Sequence, residues 1–154
     1  MARRRDTMTA DLFAWEPPQV AAGYSEEVAG RGALDNRIAR SISRAMKDAR
    51  DRGLQRADVA RRMSEFLGRT VSEDTLNKWA SEASGQHRIS LDAFIALIEA
   101  TGAHELMGLV TNGFGFVAVP ERYRDLIELH LIEEHEREIA ARRQALEARV
   151  RAKR

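Results

Sequence analysis

Cysteine is absent from the 154 residues of this chain. Disulfides, thiolate metal sites and a cysteine nucleophile are thereby excluded, in keeping with a reducing cytoplasm. Aromatic residues contribute only 6%, and hydrophobic residues 44% against 32% charged, the balance of a soluble chain with modest, mainly helical cores. No apolar run approaches the ~20 residues that cross a bilayer. The start Met-Ala-Arg-Arg-Arg-Asp has no apolar stretch behind it, so it does not read as a signal peptide. These absences predict a cytoplasmic protein with no membrane partner. Catalytic constellations are missing too. His87, His104, His130 and His135 show no ligand spacing with carboxylates, and Gly113-Phe-Gly115 lacks the third glycine and the Lys-Ser/Thr of a phosphate loop. The sequence predicts a non-enzyme that holds no cofactor and no metal.

The 25 Lys/Arg and 24 Asp/Glu nearly cancel, leaving a formal net charge of +1, but they are unevenly spread. Residues 31–90 carry 13 Lys/Arg against 8 Asp/Glu, whereas residues 1–30 carry 3 against 5 and residues 91–154 carry 9 against 11. The positive charge collects in the middle of the chain, where an electrostatic footprint for nucleic acid is expected. A solvated, Arg-rich helical surface has the same composition.

That middle segment reads as helices. Leu34, Ile38, Ile42, Ala45, Met46 and Ala49 follow the helical period over Leu34–Arg52, with Gly53 as the stop. Val59, Ala60, Met63, Phe66 and Leu67 form a stripe on a second helix that ends at Gly68, a residue suited to left-handed backbone. Ser72 is the expected N-cap of a third, Ser72–Ala80, with Leu76, Trp79 and Ala80 inward and Glu73, Asp74, Asn77, Lys78 and Ser81 outward. Ser90 is expected to cap a buried helix over Leu91–Thr101, carrying Phe94, Ile95, Leu97 and Ile98. Two short helices joined by a brief turn, the second with a polar outer face, make a helix-turn-helix candidate.

Ala60, Leu76, Trp79 and the run Ile89-Ser-Leu-Asp-Ala-Phe94 through Thr101-Gly102 resemble the lambda-repressor-like (Cro/repressor) helix-turn-helix family. The resemblance covers about a third of the chain. It implies an all-α, repressor-like bundle in which Ser72–Ala80 enters the major groove of double-stranded DNA. On that reading Ser72, Glu73, Thr75, Asn77 and Lys78 lie at the bases or nearby phosphates, and Arg56, Arg61, Arg62, Arg69 and Arg88 hold the backbone. The implied function is a transcription regulator of phage or prophage type.

The remaining segments divide as follows. Residues 1–31 read as a disordered arm in which Leu12, Phe13 and Trp15 are too apolar for a linker and are expected to dock, on this protein, on a dimer mate or on another protein. Thr9-Ala-Asp-Leu-Phe13 is similar to Gln-x-x-Leu-Phe peptides that bind bacterial sliding clamps, without the glutamine. Residues 32–108 make the helix-turn-helix domain. Residues 109–119 are expected to form a β-hairpin, because Asn112-Gly113 lies between β-prone residues and suits a type I′ turn. Pro120 is expected to open a long helix to Arg151 in which Leu129, Ile132, Ile139 and Leu146 fall on an incomplete heptad with Glu136 and Arg143. This helix predicts a homodimer; a single solvated helix is the alternative. A second function also fits: a non-enzymatic adaptor on the same bundle, docking proteins through Leu12–Trp15 and the C-terminal helix, with Glu73-Asp74 repelling phosphate.

Overall fold

The apolar period of Leu34–Asp51 builds the longest helix of the first part of the molecule, and the other elements pack around it. In the computed structural model, which describes residues 20–83 and 87–152, helices are the regular elements and no strand is present among the described residues. They run α1 (Glu26–Ala29), α2 (Leu34–Asp51), α3 (Arg56–Leu67), α4 (Glu73–Trp79), α5 (Leu91–Thr101), α6 (Glu105–Thr111) and α7 (Arg124–Ala152). The chain divides into two units, with Val20–Ala118 forming one and the stretch from Val119 belonging to the other.

In the first unit, local signals set the helix ends. α3 opens on a capping box in which the Gln55 side chain and the Asp58 carboxylate each satisfy a backbone N–H of the first turn. It closes at Gly68, whose φ of +63° places it in the left-handed region that side chains with a Cβ avoid. The faces follow the sequence pattern closely but not everywhere. Ile42, Val59, Met63, Leu76, Leu97 and Leu106 are fully buried in one core shared by α2 through α6. Each such side chain is worth roughly 1.5–3 kcal/mol, against ~0–1 kcal/mol for an exposed ion pair, so the core and not the charged surface holds the bundle. Phe66 and Ile95, expected inside, are about half exposed. Trp79, also expected inside, is only half-buried and rests on the edge of the core. Each sits at the margin of its stripe, where period alone cannot decide how far the neighbouring helix reaches. Ser90 does not cap α5 with its side chain. Its hydroxyl donates instead to the Asp92 carboxylate, a stronger acceptor because it is ionised.

One polar group is left over in this core. Ser41, on α2, is buried, and its Oγ has no hydrogen-bond partner among the described residues. An unsatisfied buried hydroxyl costs about 1–3 kcal/mol. Ser41→Ala is therefore expected to raise the melting temperature by a few degrees, and thermal denaturation followed by circular dichroism checks it; a fall would mean that the hydroxyl has a partner.

Two segments depart from the sequence expectation. Residues 20–31, grouped above with the arm, lie on the bundle. Ala21 and Ala29 are buried, the Tyr24 hydroxyl donates to the Asp48 carboxylate at 3.4 Å, and Arg40 of α2 donates to the carbonyls of Ala29 and Arg31 at 2.7 and 2.9 Å. Burial, with the Asp48 carboxylate beside it, pushes the Tyr24 phenol well above its ordinary range. The peptide Leu12–Trp15 lies outside the described residues. The second departure is the hairpin, which does not form. Leu109–Thr111 belong to α6, and Asn112–Phe114 prolong it as a 3-10 turn. A type I′ turn needs two consecutive residues with positive φ. Asn112 stays helical at φ −60°, and only Gly115 goes left-handed, at φ +75°. A helix already anchored by buried Leu106 carries its hydrogen bonds onward through Asn112 more readily than an isolated two-stranded ribbon can nucleate. What remains extended is a single bridge, in which the Ala21 N–H donates to the Ala118 carbonyl at 2.8 Å.

In the second unit, Pro120 precedes a short 3-10 turn, Glu121–Tyr123, before α7 begins at Arg124. α7 has 29 residues, none of them buried. No helix among the described residues is long and apolar enough to cross a membrane.

Candidate nucleic-acid interface

α4 is the element the sequence points to, and its attachment is slender. Leu76 is its one fully buried side chain, and Trp79 supports it from the margin of the core. The N-terminus is closed by Ser72, whose Oγ accepts from the Thr75 N–H at 3.1 Å and lies 2.9 Å from the Thr75 hydroxyl. The two hydroxyls thus bond each other, Ser72 at the exposed surface and Thr75 half-buried. Glu73, Asp74 and Asn77 are exposed. The Lys78 ammonium lies 2.7 Å from the Asp74 carboxylate, one turn back. The outer face of α4 therefore carries Glu73, which has no ion-pair partner among the described residues, and Asn77 as an exposed neutral donor and acceptor.

The five arginines placed at the phosphate backbone are brought together only in part. Arg69 pairs with Asp92 at 2.8 Å, joining the α3–α4 connection to the start of α5. The Ser90 hydroxyl, and after it the Arg69 guanidinium, hold the Asp92 carboxyl down to about 2. Arg88 pairs with Asp35 of α2 at 2.7 Å. Arg61 stands between Glu65 at 3.0 Å and Asp58 at 3.8 Å on its own helix. Arg62 donates to the Ala100 carbonyl at 3.4 Å, beside Arg52, which donates to the Thr101 carbonyl at 2.7 Å. Both thus serve orphan carbonyls at the C-terminus of α5, where positive charge also suits the helix dipole. Arg56 is half-buried in the first turn of α3.

These contacts define the geometry. Mid-α3 meets the end of α5 through Arg62, and the end of α3 meets the start of α5 through Arg69, so the two helices run antiparallel. The 11 residues of α5 span about 16 Å. Arg62 therefore lies at one end of that span, and Arg69 and Arg88 belong to the other. Arg62 is thus set apart from Arg69 and Arg88, so the arginines do not make one stripe. Sequence period could not foresee this, because the partners Asp35, Asp92 and Ala100 are remote in the chain.

Two of the concavities of this unit border α4 or α5. A small cleft of about 140 Å³, with Ile38, Trp79 and Ile89 in its wall beside Glu82, His87 and Arg88, opens between α2 and the segment leading into α5. A larger apolar groove of about 370 Å³ is lined by Leu34, Ile38, Leu91, Phe94, Val110 and Phe114. Sequence reading missed this groove, since its walls come from α2, α5 and the segment assigned to the hairpin. No group of three or more metal-ligating side chains occurs among the described residues. Compared with family models, with curated proteins and with solved structures, the chain matches none.

Proposed function

We propose that this protein is a DNA-binding transcription regulator of the phage or prophage repressor type, acting as a homodimer, with α4 as its reading element. The observation that carries the reading is the setting of α4. A short helix stands on α3, is secured from behind by Leu76, and turns Asn77 to solvent between its charged neighbours. An exposed Asn on such a helix is suited to bidentate contact with adenine. Lys78 and Arg69 sit on either side of it in the chain as phosphate contacts, with Arg61 and Arg88 in support. All four are ion-paired with carboxylates in the free protein. Exposed pairs of this kind are worth only ~0–1 kcal/mol each, so phosphate can displace them at small cost. Arg62, committed to the end of α5, is left out of the proposed contact set.

A salt titration on duplex DNA tests the proposal. Affinity is expected to fall steeply between low and physiological salt, as counterion release requires. Asn77→Ala should weaken the preferred site alone by about 1–3 kcal/mol, while Lys78→Ala should weaken all sequences about equally. Two variants that bind like the parent would remove α4 from the role.

A second reading, a protein adaptor, is favoured by the apolar groove at Leu91, Val110 and Phe114 and by the carboxylates Glu73 and Asp74. It predicts negligible binding to duplex DNA at any salt concentration.

A further inference from the structure

We infer that α7 pairs with α7 of a second copy of this chain, and that the two helices run antiparallel. Apolar side chains occur along its whole length, and Leu129, Ile132, Ile139, Leu146 and Val150 are each about half exposed. At 1.5 Å per residue the helix is about 44 Å long, enough for an extended two-helix seam. These five residues recur at spacings of three, seven, seven and four, an incomplete heptad whose two intervening positions are the charged Glu136 and Arg143, while Leu126, Ile127 and Leu131 are exposed off this line. Around Ile139, Leu146 and Val150 they line a shallow groove walled by Arg142, Arg143 and Arg151.

Charge decides both the occupant and its direction. Residues 124–138 hold 6 Asp/Glu against 2 Arg, and residues 139–152 hold 4 Arg against 1 Glu. Internal pairs do not erase this division. Glu147 serves both Arg143 at 2.9 Å and Arg151 at 3.7 Å, and His130 and His135 sit beside Glu134 and Glu138. Glu128, Glu133 and Glu136 in the first half, and Arg142 and Arg149 in the second, make no ion pair among the described residues. A parallel pair would lay acid on acid and base on base along the whole seam. An antiparallel pair lays each acidic half on the basic half of the other copy, twice, by the symmetry of the dimer. It also brings the neighbourhood of Glu136 on one copy towards that of Arg143 on the other, so the two charged positions of the heptad face opposite charge.

The inference deepens the homodimer of the proposed function without resting on DNA binding, since association is measured with no DNA present. Full-length protein at tens of micromolar is expected to sediment as a dimer. Arg142→Glu/Arg149→Glu and Glu128→Arg/Glu133→Arg should each lower self-association at least tenfold while circular dichroism shows the helix retained, and mixing the two should restore it. Because the chain has no cysteine, direction can be read with introduced thiols. Glu128→Cys mixed with Arg149→Cys should cross-link on oxidation. Monomeric parent protein, unaffected charge variants, a mixture that fails to associate, or Glu128→Cys linking mainly to itself would each overturn the inference.

Discussion

Leu76→Ala is expected to undo α4 without dismantling the rest of the bundle. Leu76 is fully buried and is the only side chain of α4 that is. Truncating a buried leucine removes its transfer free energy and leaves a cavity, together about 2–5 kcal/mol. In a domain of this size the corresponding drop in melting temperature is on the order of 10–20 °C. A seven-residue helix has no independent stability in water, so the loss of its one anchor should also raise hydrogen exchange selectively at Glu73–Trp79. DNA binding, if α4 is the reader, should disappear with it. Trp79→Ala is the instructive comparison. Because Trp79 is half-buried, its truncation should destabilise less than Leu76→Ala despite the larger side chain. A ranking in the opposite order, by calorimetry, would mean that Trp79 is the true anchor of α4.

Gly108→Ala is expected to eject the segment that precedes α1. Gly108 lies within α6, in backbone any residue adopts, and elsewhere in a helix the change would be favourable by about 1 kcal/mol. Here a Cβ would fall on the backbone nitrogen and Cα of Gly23 and within 2.6 Å of the Ala22 carbonyl carbon. These are main-chain atoms, which cannot swing aside as a side-chain tip does. Gly23 is itself at φ +80°, and a Cβ there would meet Asn112 Nδ2 at 2.8 Å, so neither partner of the crossing tolerates a side chain. Overpacking of this kind costs about 1–3 kcal/mol and sometimes more. The expected readout is loss of protection at Ala21–Tyr24, with the Ala21–Ala118 bridge broken and the remaining helices intact. Gly113→Ala is the control, since a Cβ there meets nothing within 4 Å. If Gly108→Ala behaves like Gly113→Ala, residues 20–24 are not seated on α6.

These variants mark the line between what was readable in the chain and what was not. The helices Leu34–Asp51, Arg56–Leu67 and Leu91–Thr101 were legible because a 3.6-residue apolar period over three or more turns is a strong local signal, and Gly68 and Ser72 announce a helix end and a helix start through their own backbone chemistry. The outward placement of Asn77 followed from the same periodicity. Asn112-Gly113 was misread because its preference for a turn is local and weak beside the momentum of a helix already nucleated at Leu106. Gly108 carried no legible role at all, since its importance lies in a backbone 85 positions away.

The same distinction governs the candidate site. Local pattern in the chain was enough for the mainly helical character, though not for the absence of the hairpin, and for the main helix boundaries, the polar face of α4 and the segregation of charge along α7, because each depends on neighbours within one or two turns. Packing in three dimensions placed Trp79 at the core's edge and residues 20–31 on the bundle, set Arg62 at the end of α5, and paired Arg69 and Arg88 with Asp92 and Asp35. Those outcomes depend on which helix lies beside which, and a side chain's partner is then set by packing across the core, where separation along the chain carries no information.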